Sequence, residues 1–171
     1  MKSIVIFYSL SGKTELVAKA IAETIKADIR KIEEIKQRKG IIGFLLAGRD
    51  AMKLKCSEIK PLDIDIAGYD LIFLGTPVWA FRPAPAINTF ISSADLSNKK
   101  VILFVTMGGS GDKSTIKIMS DAIKAKGGSV LNSFAIRTSG IKDTDIEEEG
   151  RKIGNYTLLL KNSPDAPYPC A

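Results

Sequence analysis

Six consecutive residues, Ser9-Leu10-Ser11-Gly12-Lys13-Thr14, carry the strongest chemical signal in the chain. They follow Ser3 to Tyr8, an apolar run with the composition of a buried strand. They open a stretch in which Leu16, Val17, Ala20, Ile21 and Ile25 fall on one helical face. A strand that turns straight into a helix leaves the first N–H groups of that helix pointing outward, where the helix dipole favours an anion. Gly12 permits the tight turn and a close backbone approach. Ser9, Ser11 and Thr14 add hydroxyl donors. The hexapeptide is therefore expected to hold a terminal phosphate. Gly12-Lys13-Thr14 resembles the end of a P-loop, but that motif needs a glycine where Phe7 stands. The dinucleotide fingerprint fails as well, because Gly12 is the only glycine of the loop. An ordinary hydroxyl-capped helix start is the plain alternative.

Two further segments could flank a ligand. Gly75-Thr76-Pro77-Val78-Trp79-Ala80-Phe81 holds the only tryptophan, after an apolar run. Ligands of open α/β sheets bind at the carboxyl ends of strands, and an indole can stack on a flat heteroaromatic ring. Thr106-Met107-Gly108-Gly109-Ser110-Gly111-Asp112 follows another apolar run. Its glycines let backbone pass close to a ligand and offer amide donors. A core tryptophan and a surface turn are the respective plain readings.

These segments need a frame. Ser3 to Tyr8, Leu71 to Gly75, Val101 to Thr106 and Val130 to Ile136 read as strands covered on both faces. Asp28 to Ile35 is more charged and suits an edge strand. Helices are expected over Leu16 to Ile25, from Pro85 through Ala94, along the stripe Ile116, Met119 and Ile123 up to Gly127-Gly128, and from Asp143-Thr144 through Leu160. Strands alternating with helices imply a doubly wound parallel sheet, here of five strands and about five helices. Gly40 to Lys55 is longer than a simple connection, and Phe44, Leu45 and Leu46 suggest an irregular helix there.

The 171 residues suggest one domain, 45% hydrophobic and 26% charged. The absence of histidine removes the usual neutral-pH base and the commonest metal ligand. Cys56 and Cys170 make no metal cluster or disulfide framework, and they suit a reducing cytoplasm. Redox chemistry would have to come from a bound organic cofactor. The longest apolar run, Ile41 to Gly48, falls short of the ~20 residues of a membrane span. Net charge is +6, and residues 26–60 hold ten Lys/Arg against five Asp/Glu. That stretch is either a solvated surface or a docking face for an acidic partner, nucleic acid or anionic lipid. Nucleic acid is not favoured, because aromatics are not interleaved with the charges.

The hydroxyl-rich loop, the Gly-Thr-Pro-Val-Trp segment and the glycine-rich loop resemble, in order and spacing, those of the flavodoxin family. The resemblance spans nearly the whole chain. It implies an α/β, three-layer, doubly wound parallel sheet with strand order 2-1-3-4-5. It implies FMN as cofactor, its phosphate on Ser9, Leu10, Ser11, Gly12, Lys13 and Thr14. The flavin ring would lie between the Thr76 to Phe81 loop, with Thr76, Pro77, Val78 and Trp79 as its binding residues, and the Met107 to Asp112 loop, with Thr106, Met107, Gly108, Gly109 and Gly111. The implied role is electron transfer to a redox partner protein, acidic in character, or to a small-molecule acceptor. The alternatives are a nicotinamide-dependent quinone or flavin reductase and an FMN module docked on a larger redox complex. Unlike typical electron-carrier flavodoxins, the chain is basic, has no aromatic in the loop after the fourth strand, and has only Asp112 as an acid near the flavin segments.

Overall fold

The computed structural model describes residues 1–35 and 56–162. The strands are β1 (Ser3–Phe7), β2 (Asp28–Lys31), β3 (Leu71–Trp79), β4 (Arg82–Pro83), β5 (Lys100–Met107) and β6 (Ser129–Arg137). The helices among the described residues are α1 (Lys13–Ile25), α2 (Pro85–Ser93), α3 (Asp112–Ala125) and α4 (Asp143–Asn162). The helix expected within Gly40 to Lys55 lies outside the described residues, as do Cys170 and much of the basic stretch.

The sheet runs β2-β1-β3-β5-β6, all parallel. Without the two-residue β4, which pairs antiparallel with the end of β3, this is the expected 2-1-3-4-5 order. Alternate residues of each central strand feed two separate cores. Ile4, Ile6, Ile72, Leu74, Leu103 and Val105 meet α2 and α3 through Ile87, Phe90, Met119 and Ile123. Val5, Phe7, Phe73, Ile102 and Phe104 meet α1 and α4 through Val17, Ile21, Ile146 and Ile153. Helices therefore cover both faces, which explains why these strands read as unbroken apolar runs. β2 is the charged edge strand, shorter than its sequence suggested, with Asp28, Arg30 and Lys31 exposed. Two basic residues of the 26–60 stretch are already paired, Lys31 with Glu15 and Lys60 with Glu33.

One boundary differs from expectation. The sequence placed Thr76 to Trp79 in a loop, whereas β3 continues through Trp79. Thr76 and Pro77 pair with Val105 and Thr106, and Val78 and Trp79 pair with Pro83 and Arg82. The hairpin into β4 supplies the second partner that keeps this stretch extended.

Candidate functional site

The three sequence signals emerge at one edge, at the carboxyl ends of β1, β3 and β5. At the first, Gly12 adopts a left-handed φ of 88° just before α1, and no side chain caps the helix. The plain alternative of a hydroxyl-capped start is therefore not what forms. The first helical hydrogen bond runs from Leu16 N–H to the Gly12 carbonyl at 3.0 Å. The amides of Lys13, Thr14 and Glu15 precede that ladder and face outward with the positive end of the dipole. Ser9 is buried, and its Oγ accepts the Gly12 N–H at 3.1 Å, which closes the turn. Leu10 and Ser11 are exposed.

A carboxylate in the first turn would oppose an anion, but Glu15 is engaged elsewhere. Lys31 and Lys19 hydrogen-bond it and hold its carboxyl below the ordinary glutamate range. Behind the loop, Thr14 Oγ1 and Thr106 Oγ1 share a buried hydrogen bond of 2.7 Å. Either hydroxyl can donate, so one of the two protons stays available to a further acceptor. This bond fastens the β1 loop to the end of β5.

At the second signal the roles divide. Thr76 is fully buried; its hydroxyl accepts the Ala84 N–H and donates to the Pro77 carbonyl, both at 3.0 Å. It is spent on the hairpin. Trp79 is 7% exposed and stands edge-on to Tyr8, with ring centroids 5.6 Å apart. Tyr8 in turn donates its hydroxyl to the buried Glu34 at 2.9 Å. The outward aromatic is Phe81, 58% exposed. Ala80 and Phe81 form the hairpin tip with φ of 47° and 65°, a left-handed pair that is unusual for a bulky residue and is often found where function demands it.

The third loop packs on that hairpin through Gly111, where a Cβ would come within 2.8 Å of Val78 Cγ1 and 3.0 Å of Phe81 Cδ1. Gly111 thus serves packing, with φ of 104° at the start of α3. Gly108 and Gly109 are exposed, and a Cβ on Gly109 would meet nothing within 4 Å. The Met107 carbonyl accepts the Thr138 N–H at 2.8 Å, so the segment after β6 lines the same edge. From that side Asp143 pairs with Lys13.

The structure brings the three predicted segments to one edge and sorts their members. Ser11, Gly12, Lys13, Gly108 and Gly109 face outward or half-outward; Ser9, Thr14 and Thr106 stand behind them; Thr76, Trp79 and Gly111 hold the frame. Pro77, Val78 and Met107 are half-buried between them. Tyr8 and Asp143 also stand at this edge without having been singled out in the sequence, and Phe81 was expected there only as the end of the Thr76 to Phe81 segment. Phe81 stood within the quoted motif, and its neighbouring tryptophan drew the attention. Nothing local in sequence marks Asp143.

The sheet is doubly wound, and the uncapped start of α1 follows its first strand at the carboxyl edge, where open α/β sheets bind their ligands. The family model described as Flavodoxin matches residues 2–143, and the chain belongs to the flavodoxin family. The chain is similar to the flavodoxin-like domain-containing protein BilS of Clostridioides difficile (strain CD3), at 30% identity over 96% of this chain and 77% of BilS. It is similar in fold to a flavoprotein from Lactobacillus acidophilus NCFM in complex with FMN, with TM-score 0.69 and 24% identity, covering 86% of this chain and 97% of the other. It is also similar to oxidised flavodoxin 2 from Bacillus cereus, with TM-score 0.60 and 19% identity, covering 95% and 99%.

Among the described residues no group of His, Cys, Asp and Glu could hold a metal ion, and no helix is long and apolar enough to cross a membrane.

Proposed function

We propose that the chain binds FMN without covalent attachment and transfers electrons through it. The observation that carries this reading is the start of α1: a left-handed glycine, no side-chain cap, and a buried threonine pair behind, in a chain of the flavodoxin family. The FMN held by the Lactobacillus relative supports the choice of cofactor. Bound FMN accepts and releases one or two electrons. The chain's residues bind and orient it. The amides of Lys13, Thr14 and Glu15, the Ser11 hydroxyl and the Lys13 ammonium would meet the phosphate. Phe81 would lie against one side of the ring and Gly108 and Gly109 against the other.

The direct test is to add FMN to the apo-chain, desalt it, and reduce the product anaerobically. One flavin retained per chain, reversibly reduced, is expected; loss of the flavin on desalting would remove the reading.

A specific observation keeps the reductase reading alive. The loop after β5 is exposed, small and free of aromatics, so one side of the ring would stay open to a nicotinamide or quinone in stacked contact. Stopped-flow mixing with NADH, NADPH and a soluble quinone separates the two roles. Rapid oxidation of a nicotinamide makes the protein a reductase, and its absence leaves the carrier. An acidic redox protein is the partner the basic stretch favours.

Two substitutions at the loop should behave differently. Ser11→Ala removes an exposed hydroxyl and should weaken FMN roughly tenfold while leaving riboflavin and stability alone. Thr14→Ala also strands Thr106 and should lower stability by about 1–2 kcal/mol as well. Titrations of both flavins and urea midpoints read this out; equal loss for FMN and riboflavin in Ser11→Ala would move the phosphate elsewhere.

Phe81→Gly should separate affinity from stability. It relieves a left-handed φ and should raise stability by about 0.5–1 kcal/mol. It also removes the aromatic cover, so FMN and riboflavin should weaken by the same few-fold factor. Unchanged affinity for both would assign ring contact to another residue.

A further inference from the structure

Lys13 is the only cation of the phosphate-loop hexapeptide. Its ammonium is paired with the carboxylate of Asp143, the first residue of α4. The two lie 130 residues apart in sequence and meet because α1 and α4 share one face of the sheet. Lys13 is the first residue of α1, so its side chain starts beside the amides that open the helix.

The pair adds little to the fold. Its side chains are 35% and 62% exposed, a range in which ion pairs contribute marginally. α4 is anchored instead by Ile146 and Ile153, both buried in the core it shares with α1. What the pair changes is the field at the loop. An anion arriving at the α1 amides finds the Lys13 ammonium already engaged. It also meets the engaging carboxylate as a like charge.

We propose that Asp143 is a specificity-determining residue that competes with the cofactor phosphate for Lys13, and so holds FMN affinity below what the loop alone would give. This rests on the reading of Ser9 to Thr14 as the phosphate site. The cofactor phosphate and Asp143 are then alternative partners of one ammonium. FMN loading becomes sensitive to salt and to any charge change at the start of α4.

The test measures FMN and riboflavin dissociation constants by flavin fluorescence quenching, at low and high salt, for wild type, Asp143→Asn, Asp143→Ser, Lys13→Gln and the Lys13→Gln/Asp143→Asn double variant. Both Asp143 variants should tighten FMN roughly three- to tenfold at low salt and leave riboflavin unchanged. The gain should shrink at high salt and vanish in the Lys13→Gln background. Two substitutions of different shape guard against a local folding defect, which thermal melting would expose. An FMN-to-riboflavin preference that stays at the wild-type value or falls in both Asp143 variants overturns the proposal, as does a full gain without Lys13. Equal wild-type affinity for the two flavins would be a separate result, removing the phosphate-loop reading and this proposal with it.

Discussion

FMN should bind this protein more than a hundredfold more tightly than riboflavin. The two flavins share the ring and differ by the phosphate, so the preference isolates the loop. The phosphate can take hydrogen bonds from the α1 amides and the Ser11 hydroxyl, and charge from Lys13. Hydrogen bonds to a charged group contribute about 1.5–3 kcal/mol each. Two of them exceed the ~2.8 kcal/mol that a hundredfold preference requires. Preorganisation keeps the gain from being lost to ordering, because the turn is already closed by Ser9 and fastened to β5 by Thr14 and Thr106. Titrating both flavins into the same apo-protein measures the ratio. A ratio near one would mean that the α1 start is only a turn.

The largest stability loss is expected at a residue whose role is packing, directly beneath the ligand edge. Gly75→Ala should destabilise the protein by about 3 kcal/mol or more, and Gly75→Val should leave it unfolded. A Cβ at Gly75 would stand 2.0 Å from Phe104 Cζ and 2.3 Å from its Cε2. Phe104 is its register partner on β5, fully buried in the core beneath α1 and α4. The ring lies across the glycine and has no solvent to swing into. Shortening it in the double variant Gly75→Ala/Phe104→Leu should recover part of the loss, a non-additivity that a urea double-mutant cycle reads directly. A Gly75→Ala midpoint equal to wild type would show that the ring can move aside at no cost.

Gly75 also shows where sequence reading stops. It heads the Gly-Thr-Pro-Val-Trp segment, whose position at a strand end drew a ligand-binding reading. Its place in the fold is a matter of packing against a residue of another strand. Strands β1, β3 and β5 were legible because burial on both faces leaves an unbroken apolar run, and the helices because their stripes repeat at helical spacing; β6, read as covered on both faces, is instead a largely half-buried edge strand whose run Asn132 and Ser133 interrupt. The start of α1 was legible because strand, turn and helix are contiguous there. The division of labour among Thr76, Trp79 and Phe81 was not. It depends on a two-residue strand, Arg82–Pro83, too short to carry a period of its own. The Lys13–Asp143 pair was hidden for a different reason: it is a product of helix placement, and charges that meet through tertiary structure leave no local pattern.

The parallel order of the sheet sets a timetable for synthesis. β1 is made before both of its neighbours, yet Ser3 pairs with Leu71 and Phe7 with Gly75. At about 5–20 residues per second, the ribosome needs several seconds to deliver β3 after β1 has emerged. During that interval Ile4, Val5, Ile6 and Phe7, all buried in the finished fold, have among the described elements only β2 and α1 for shelter. The nascent chain therefore passes through a state with one open, strongly apolar strand edge, a template for pairing with other chains. The charges on β2 close off one direction of that growth. The other direction stays open until β3 arrives, so slowing translation across the β1–β3 interval should lower the share of chains that reach the native state.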